Sequence, residues 1–169
     1  MRQSLTLILL LVAGSAQAAP VTWTIDSLLF DDGGTGTGTF VYDANTNIYS
    51  DISIVTTAGS VLGGSVYSFI NPGPLSPPSA SGVALVSSDL ADLTGLPAIG
   101  IGFATALTNT GGLISIDAGI EGTCVNAGCD APNAFPVRNI LSGQLSAIPV
   151  PAAVWLFASA LGLLGWLRR

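Results

Sequence analysis

Residues 23–59 read WTIDSLLFDDGGTGTGTFVYDANTNIYSDISIVTTAG, and their periodicity decides the fold class. Val21, Trp23 and Ile25 alternate with Thr22, Thr24 and Asp26, the period of two expected of a half-buried strand. Asp31-Asp32-Gly33-Gly34 is a turn cluster. The alternation then resumes: Thr35, Thr37, Thr39 and Val41 share one face, and Gly36, Gly38, Phe40 and Tyr42 the other. Asp43 to Asn47 is a second turn, rich in side chains that hydrogen-bond their own backbone. Ile52 and Ile54 alternate in the strand that follows. Two hairpins within forty residues make a meander.

Working outward, Val66–Ile70 reads as a strand. Asn71–Ser81 holds four prolines, which excludes a central strand and predicts an exposed loop. Val83–Val86 is a short strand, and Ser88–Leu93 is expected to form one helical turn capped by Ser88. Ile99–Leu107 and Leu113–Ile120 flank Asn109-Thr-Gly-Gly112, a hairpin signal. Ile140–Ile148 closes the domain. Strands at this spacing, with 21 glycines, predict an all-β fold: an antiparallel β-sandwich, or a barrel-like antiparallel sheet. No long helix is expected before the C-terminal tail.

Composition narrows the chemistry. Histidine and lysine are absent from the chain. That removes Ser-His-Asp and Cys-His machinery, imidazole metal ligands, Schiff bases and the lysine of a phosphate loop. Between Ala19 and Ala147 ten acidic residues face one arginine, Arg138, a net charge of −9. Phosphate contacts require Lys and Arg, so nucleic acid is excluded as a partner. Catalysis, if any, is left to carboxylates.

The remaining candidates are few. Asp43, Asn45, Asn47 and Asp51 have the look of a calcium loop, but Ile48 and Ile54 stand where the EF-hand pattern requires Gly and Glu. A hairpin turn accounts for them. Asp31 and Asp32 are a candidate weak calcium site; no metal or cofactor is otherwise expected. Gly34–Gly38 neither matches a dinucleotide fingerprint nor opens a helix. Glu121 is the one glutamate, and nothing in the sequence supplies the second carboxylate that a glycosidase needs within about 5–10 Å. Tyr42, Tyr49, Tyr67 and Trp23 are candidates for an aromatic binding platform, although the alternation puts Trp23 in the core. Cys124 and Cys129 are the only cysteines. A zinc site wants about four ligands, so a disulfide is expected, with a free or redox-active pair as the alternative.

The ends of the chain carry targeting features. Arg2, the apolar run Leu5–Ala13 and Ala16-Gln17-Ala18 are the three parts of a secretory signal peptide, 1–18, with cleavage after Ala18 or Ala19. This implies Sec machinery and signal peptidase as partners, and an oxidising compartment in which disulfides persist. At the other end, residues 152–167 carry no charge. Sixteen helical residues span about 24 Å, short of the roughly 20 residues a bilayer core requires. The flanking Ile148–Pro151 and the arginine stems extend it. Trp155 and Trp166 suit the two interfaces, and Arg168-Arg169 the cytoplasmic side. The expected organisation is signal peptide 1–18, β-rich ectodomain 19–147 and tail 148–169 with a transmembrane helix over 152–167.

Ile148-Pro149-Val150-Pro151-Ala152, an apolar Gly/Leu-rich run and two terminal arginines together resemble the VPLPA-CTERM variant of PEP-CTERM sorting tails. Ile148 and Val150 replace the family's Val and Leu. The segment 23–59 is also similar to a recurrent PEP-CTERM ectodomain start. The resemblance implies processing by an exosortase-like transpeptidase of a Gram-negative bacterium and assigns the ectodomain no activity. The prolines suit such processing, since they hold the segment extended for a protease groove. The expected function is therefore a non-enzymatic, envelope-anchored surface or extracellular-matrix protein. Its expected partners are the membrane, the exosortase-like enzyme and, as a candidate, exopolysaccharide. The alternatives are a carbohydrate-binding or adhesion module and, behind it, a carboxylate-dependent hydrolase.

Overall fold

The computed structural model describes residues 19–73, 77–130 and 134–147, residues 134 and 135 by their backbone. The predicted signal peptide with Ala16 and Ala18, the sorting motif Ile148–Ala152, the helix over 152–167 and its flanks Trp155, Trp166, Arg168 and Arg169 all lie outside the described residues; Ala19 is exposed and irregular. Among the described residues no helix is long and apolar enough to cross a membrane.

The described residues form nine strands: β1 (Val21–Phe30), β2 (Thr35–Asp43), β3 (Ile48–Thr56), β4 (Val66–Tyr67), β5 (Phe69–Ile70), β6 (Gly82–Val86), β7 (Pro97–Phe103), β8 (Gly112–Thr123) and β9 (Ala134–Ala147). They make one antiparallel sheet in the order β4-β3-β2-β1-β9-β8-β7-β6-β5. Two four-stranded meanders, β1–β4 and β5–β8, are joined by β9, which lies between β1 and β8. Only Ser68 separates β4 from β5 in the chain. The first half of this short run pairs with β3 and the second with β6, so the sheet nearly closes on itself. The all-β, antiparallel expectation is met, and of the two arrangements expected the single nearly closed sheet is the barrel-like one.

The alternation read from the sequence is the alternation between core and solvent. Trp23, Ile25, Phe40, Tyr42 and Ile54 are buried, together with Leu85, Ile99, Ile101, Ile116 and Leu145 from the other strands. Burying such side chains stabilises by roughly 1.5–3 kcal/mol each. Small residues admit large neighbours inside the sheet. Leu28 fills the space that a side chain at Gly143 would take, and Ile140 fills the space at Gly119.

The alternation slips on two strands. On β1, Ile25 and Leu28 are both buried while Asp26 and Ser27 between them are exposed, and the β1–β9 register shifts there. On β8, the buried Ile116 and Glu121 lie at odd spacing, next to the irregularity where Gly102 and Phe103 of β7 face Ala118 and Ile116.

A second, smaller cluster sits apart from the main core: Val86, Leu93, Ala98, Cys124 and Cys129, with Leu96 against it. Cys124 and Cys129 are bridged, as the sequence predicted. The expected helical turn over Ser88–Leu93 does not form. Ser88 Oγ instead accepts the Leu90 N–H at 3.3 Å, and Leu93 N–H donates to Ala127 O at 3.1 Å. Packing of Leu93 against the disulfide outweighs the weak local helix signal. The strand predicted over Val66–Ile70 is the pair β4 and β5, and the last strand starts earlier than Ile140, at Ala134.

A Gly119→Ala substitution tests the packing. Its Cβ would run into Ile140 Cδ1 and lie 2.5 Å from the Gly100 carbonyl oxygen. The isoleucine can turn away, but the carbonyl is backbone. Overpacking of this kind costs about 1–3 kcal/mol, so the urea midpoint of the variant is expected to fall with its β-type far-UV spectrum retained.

Candidate functional site

A buried polar cluster is built on Arg138, the one arginine among the described residues. Arg138 on β9 and Glu121 on β8 are direct cross-strand partners on the inward face. The Arg138 side chain is 0% exposed and that of Glu121 2%. Glu121 Oε2 accepts Arg138 Nε at 3.0 Å and Nη2 at 2.9 Å. Glu121 Oε1 accepts the Tyr67 hydroxyl at 2.7 Å and the Thr56 hydroxyl at 3.0 Å. Arg138 Nη1 donates to Thr57 O at 3.0 Å and to both Asp32 oxygens at 3.3 Å. The guanidinium carbon stands 4.2 Å from the centre of the Phe30 ring, a cation–π contact out of water.

One guanidinium thus serves two carboxylates. The surplus negative charge is met by neutral donors. Asp32 accepts the backbone N–H groups of Gly34 at 2.9 Å and of Val61 and Leu62 at 3.2 Å. Burial pushes the Asp32 carboxyl up, but these three N–H groups and the Arg138 charge outweigh it, and the net direction is down from 3.8. Burial, then the Glu121 charge beside it, pushes the Tyr67 phenol well up, so it stays a donor. The backbone is shaped around the cluster. A side chain at Gly34 would collide with Arg138 Nη1, and one at Gly59 with the Asp32 carboxylate.

The cluster bears on two readings of the sequence. Glu121, for which the sequence supplied no second carboxylate, shares the Arg138 guanidinium with Asp32, and Arg138, Tyr67 and Thr56 donate to its two oxygens. Asp31 and Asp32, the calcium candidates, are engaged within the protein. Asp32 holds Arg138, and Asp31 accepts Asn139 Nδ2 at 2.7 Å and its backbone N–H at 3.0 Å. The Asn139 bonds lower the Asp31 pKa. Among the described residues no group of three or more potential ligands gathers to hold a metal.

The aromatic candidates are buried, not coplanar on the surface. Trp23 and Tyr67 are fully enclosed, Tyr42 and Tyr49 nearly so. Tyr42 and Tyr49 pack ring to ring at 4.7 Å, tilted by 48°. Their hydroxyls donate to Asn47 Oδ1 and Ser79 O. Asp43 caps its own turn by accepting from the Asn45 N–H and the Thr46 hydroxyl, the hairpin role the sequence favoured over a calcium loop. Asn45 and Asn47 stay in that turn, and Asp51 sits at φ 48° in a β3 irregularity.

An open groove of about 310 Å3 runs beside Pro77, Ser79, Ser81, Ala84 and Gly100. It carries no charged or aromatic lining residue, so it offers neither general acid–base groups nor a stacking surface. Sequence reasoning missed the role of Arg138. The available signal was a single base at an apolar-alternating position of a strand in a strongly acidic domain, where a charge is found inside only when paired.

Comparison of the chain with protein-family models, with curated proteins and with solved structures finds no match.

Two outcomes test the cluster. Replacing Arg138 by Met leaves two buried carboxylates without their cation, and breaking a buried pair in this way costs about 3–5 kcal/mol. The variant is expected to lose that much in urea unfolding, and a Glu121→Leu/Arg138→Met double variant to regain part of it. The pH dependence has a definite sign. Asp32 has a folded pKa below its unfolded value of 3.8, so its stabilising contribution is complete above that value and is lost as pH falls through the folded pKa. Thermal stability should therefore drop below about pH 4, and less steeply in Asp32→Asn.

Proposed function

We propose that this chain is an exported, envelope-anchored surface or extracellular-matrix protein of a Gram-negative bacterium, processed by an exosortase-like transpeptidase, and that its barrel is a non-catalytic body. The observation that carries the reading is the tail: Ile148-Pro-Val-Pro-Ala152, the uncharged run 152–167 and Arg168-Arg169. The signal-peptide pattern at residues 1–18 assigns Sec machinery and signal peptidase as partners, and the anchor assigns the membrane. The buried Cys124–Cys129 bridge supports an oxidising destination. The engagement of all Glu121 and Asp32 oxygens in Arg138, tyrosine, threonine and backbone contacts supports a structural use of these carboxylates. Exopolysaccharide is the proposed surroundings of the mature protein, with no dedicated aromatic platform for it among the described residues.

The test uses the native host. The wild-type protein is expected to leave the inner membrane with a mass showing removal or exchange of the tail. Replacing Pro149 and Pro151 together by Ala is expected to hold the protein at full tail length in the inner membrane. Normal surface delivery of the double variant in a host with an active exosortase would defeat the sorting assignment.

A further inference from the structure

The sheet closes through the short run that carries β4 and β5, and its two halves are fastened differently. On the β4 side the Thr56 N–H donates to Ser65 O at 2.9 Å, and the Tyr67 hydroxyl donates to Glu121 at 2.7 Å inside the Arg138 cluster. On the β5 side the ladder is two register pairs, Phe69 with Val86 and Ile70 with Leu85, followed by the Asn71 N–H donating to Ala84 O at 2.9 Å. So short a ladder is marginal in water without further support. The support for β5 lies one residue beyond it.

Asn71 is buried, and both ends of its amide are occupied. Nδ2 donates to Cys129 O at 3.0 Å, and Oδ1 accepts the Gly73 N–H at 2.9 Å. Gly73 is packed so closely that a side chain there would meet the same Cys129 carbonyl. Cys129 stands at φ 50°, a left-handed conformation that a residue with a Cβ keeps only when its surroundings hold it. The bridge to Cys124 holds it. Around the bridge, Gly95 N–H donates to Cys124 O at 2.8 Å, Cys124 N–H to Leu96 O at 2.9 Å and Leu93 N–H to Ala127 O at 3.1 Å. The disulfide therefore organises the loop 87–96 directly and the end of β5 through Asn71. Neither cysteine belongs to the main core; both pack with Val86, Leu93 and Ala98 in the smaller cluster.

We propose that the Cys124–Cys129 bridge is a redox latch on the seam of the barrel. Closed, it holds β5 on β6 through Cys129 and Asn71. Opened by a dithiol, it releases β5 and the loop 87–96 while the rest of the sheet stays paired. In that step the dithiol supplies two electrons and two protons and ends as a disulfide, and Cys124 and Cys129 become thiols. Residues 125–128 are an exposed turn beside the buried sulfurs, so a small local opening admits the attacking thiolate. With the bridge gone, Cys129 leaves the left-handed region and its carbonyl moves off Asn71 Nδ2. A buried amide without an acceptor is costly, and Asn71 recovers its bonds by turning out to water, taking the end of β5 with it. The barrel itself survives, because a bridge between cysteines five residues apart constrains little of the unfolded chain. The open seam leaves Leu85 and Val86 of β6 unpaired on one side, an edge that accepts another extended chain. In the oxidising destination proposed above the latch is shut.

Amide hydrogen exchange on the full-length chain tests the latch, before and after reduction of the folded protein with dithiothreitol, with alkylation of the two thiols to show that the bridge has opened. Amides of residues 69–73 and 93–96 are expected to exchange at least about tenfold faster after reduction, and those of β1, β2 and β9 to stay within about twofold of their oxidised rates. A Cys124→Ala/Cys129→Ala variant is expected to show the same pattern without reductant. Asn71→Ala with the bridge intact is expected to speed exchange at 69–73 and leave 93–96 protected. Unchanged exchange at 69–73 in protein whose thiols are both alkylated overturns the latch. Loss of protection throughout the sheet also overturns it, since the bridge would then be holding the whole barrel. Retained protection at 69–73 in Asn71→Ala overturns the route through Asn71. Should the alanine pair fail to fold, reduction of the chain already folded still separates these outcomes.

Discussion

The Arg138 guanidinium is the constraint on which the rest of the barrel end depends. A cation with no solvent exposure must have its N–H donors matched, because the alternative is a desolvation cost of several kcal/mol. The matching is done by distant parts of the chain: Glu121 from β8, Asp32 from the β1–β2 turn, and the Thr57 carbonyl past the end of β3. Each partner in turn requires others. Glu121 draws in Tyr67 of β4 and Thr56 of β3, and Asp32 draws in the backbone of residues 61 and 62. The loop between β3 and β4, which has no regular structure, is thereby closed over the end of the barrel.

Topology gives this cluster its leverage. Hairpin contacts hold each meander together locally, but β1 and β8 have no direct pairing and meet through β9. Arg138 lies on that joining strand. It ties β9 to the C-terminal meander through Glu121 and to the N-terminal one through Asp32, Thr57 and the Phe30 ring. At the other pole Asn109 links the β2–β3 turn to the β7–β8 turn. Polar clamps thus bind the two halves at both ends, while apolar packing fills the middle.

The sequence was legible where one period holds. Val21 to Ile25 alternate cleanly between buried and exposed, and of the two faces read for Thr35 to Tyr42 the one with Gly36, Phe40 and Tyr42 is the buried one, with Gly38 half-buried. The cysteine pair was legible by elimination of other chemistry. Glu121 was not. Counting by twos from Ile114 and Ile116 places residue 121 on the outer face, and only the one-residue slip in β8 turns it inward. Periodicity cannot reveal such a slip, because a bulge depends on how the neighbouring strand is paired. The tyrosines misled for a related reason. Their hydroxyls suggest exposure, but Asn47, Ser79 and Glu121 satisfy them at the edge of the core.

The slip in β8 also explains why a costly buried ion pair is found where an apolar pair would pack. Leu113, Leu141 and Leu29 are exposed on outer faces, so β1, β8 and β9 carry apolar residues on both sides, and hydrophobicity alone discriminates poorly between neighbouring registers. A charged pair discriminates sharply. Any shift of β9 against β8 that separates Arg138 from Glu121 leaves one or both charges buried without a partner, and that penalty exceeds what a misplaced leucine would incur. With no lysine or histidine in the chain and no second arginine between Ala19 and Ala147, no other cation of the barrel can satisfy Glu121 in a wrong register. The acidic composition that leaves the domain a single base also makes that one internal cation specific.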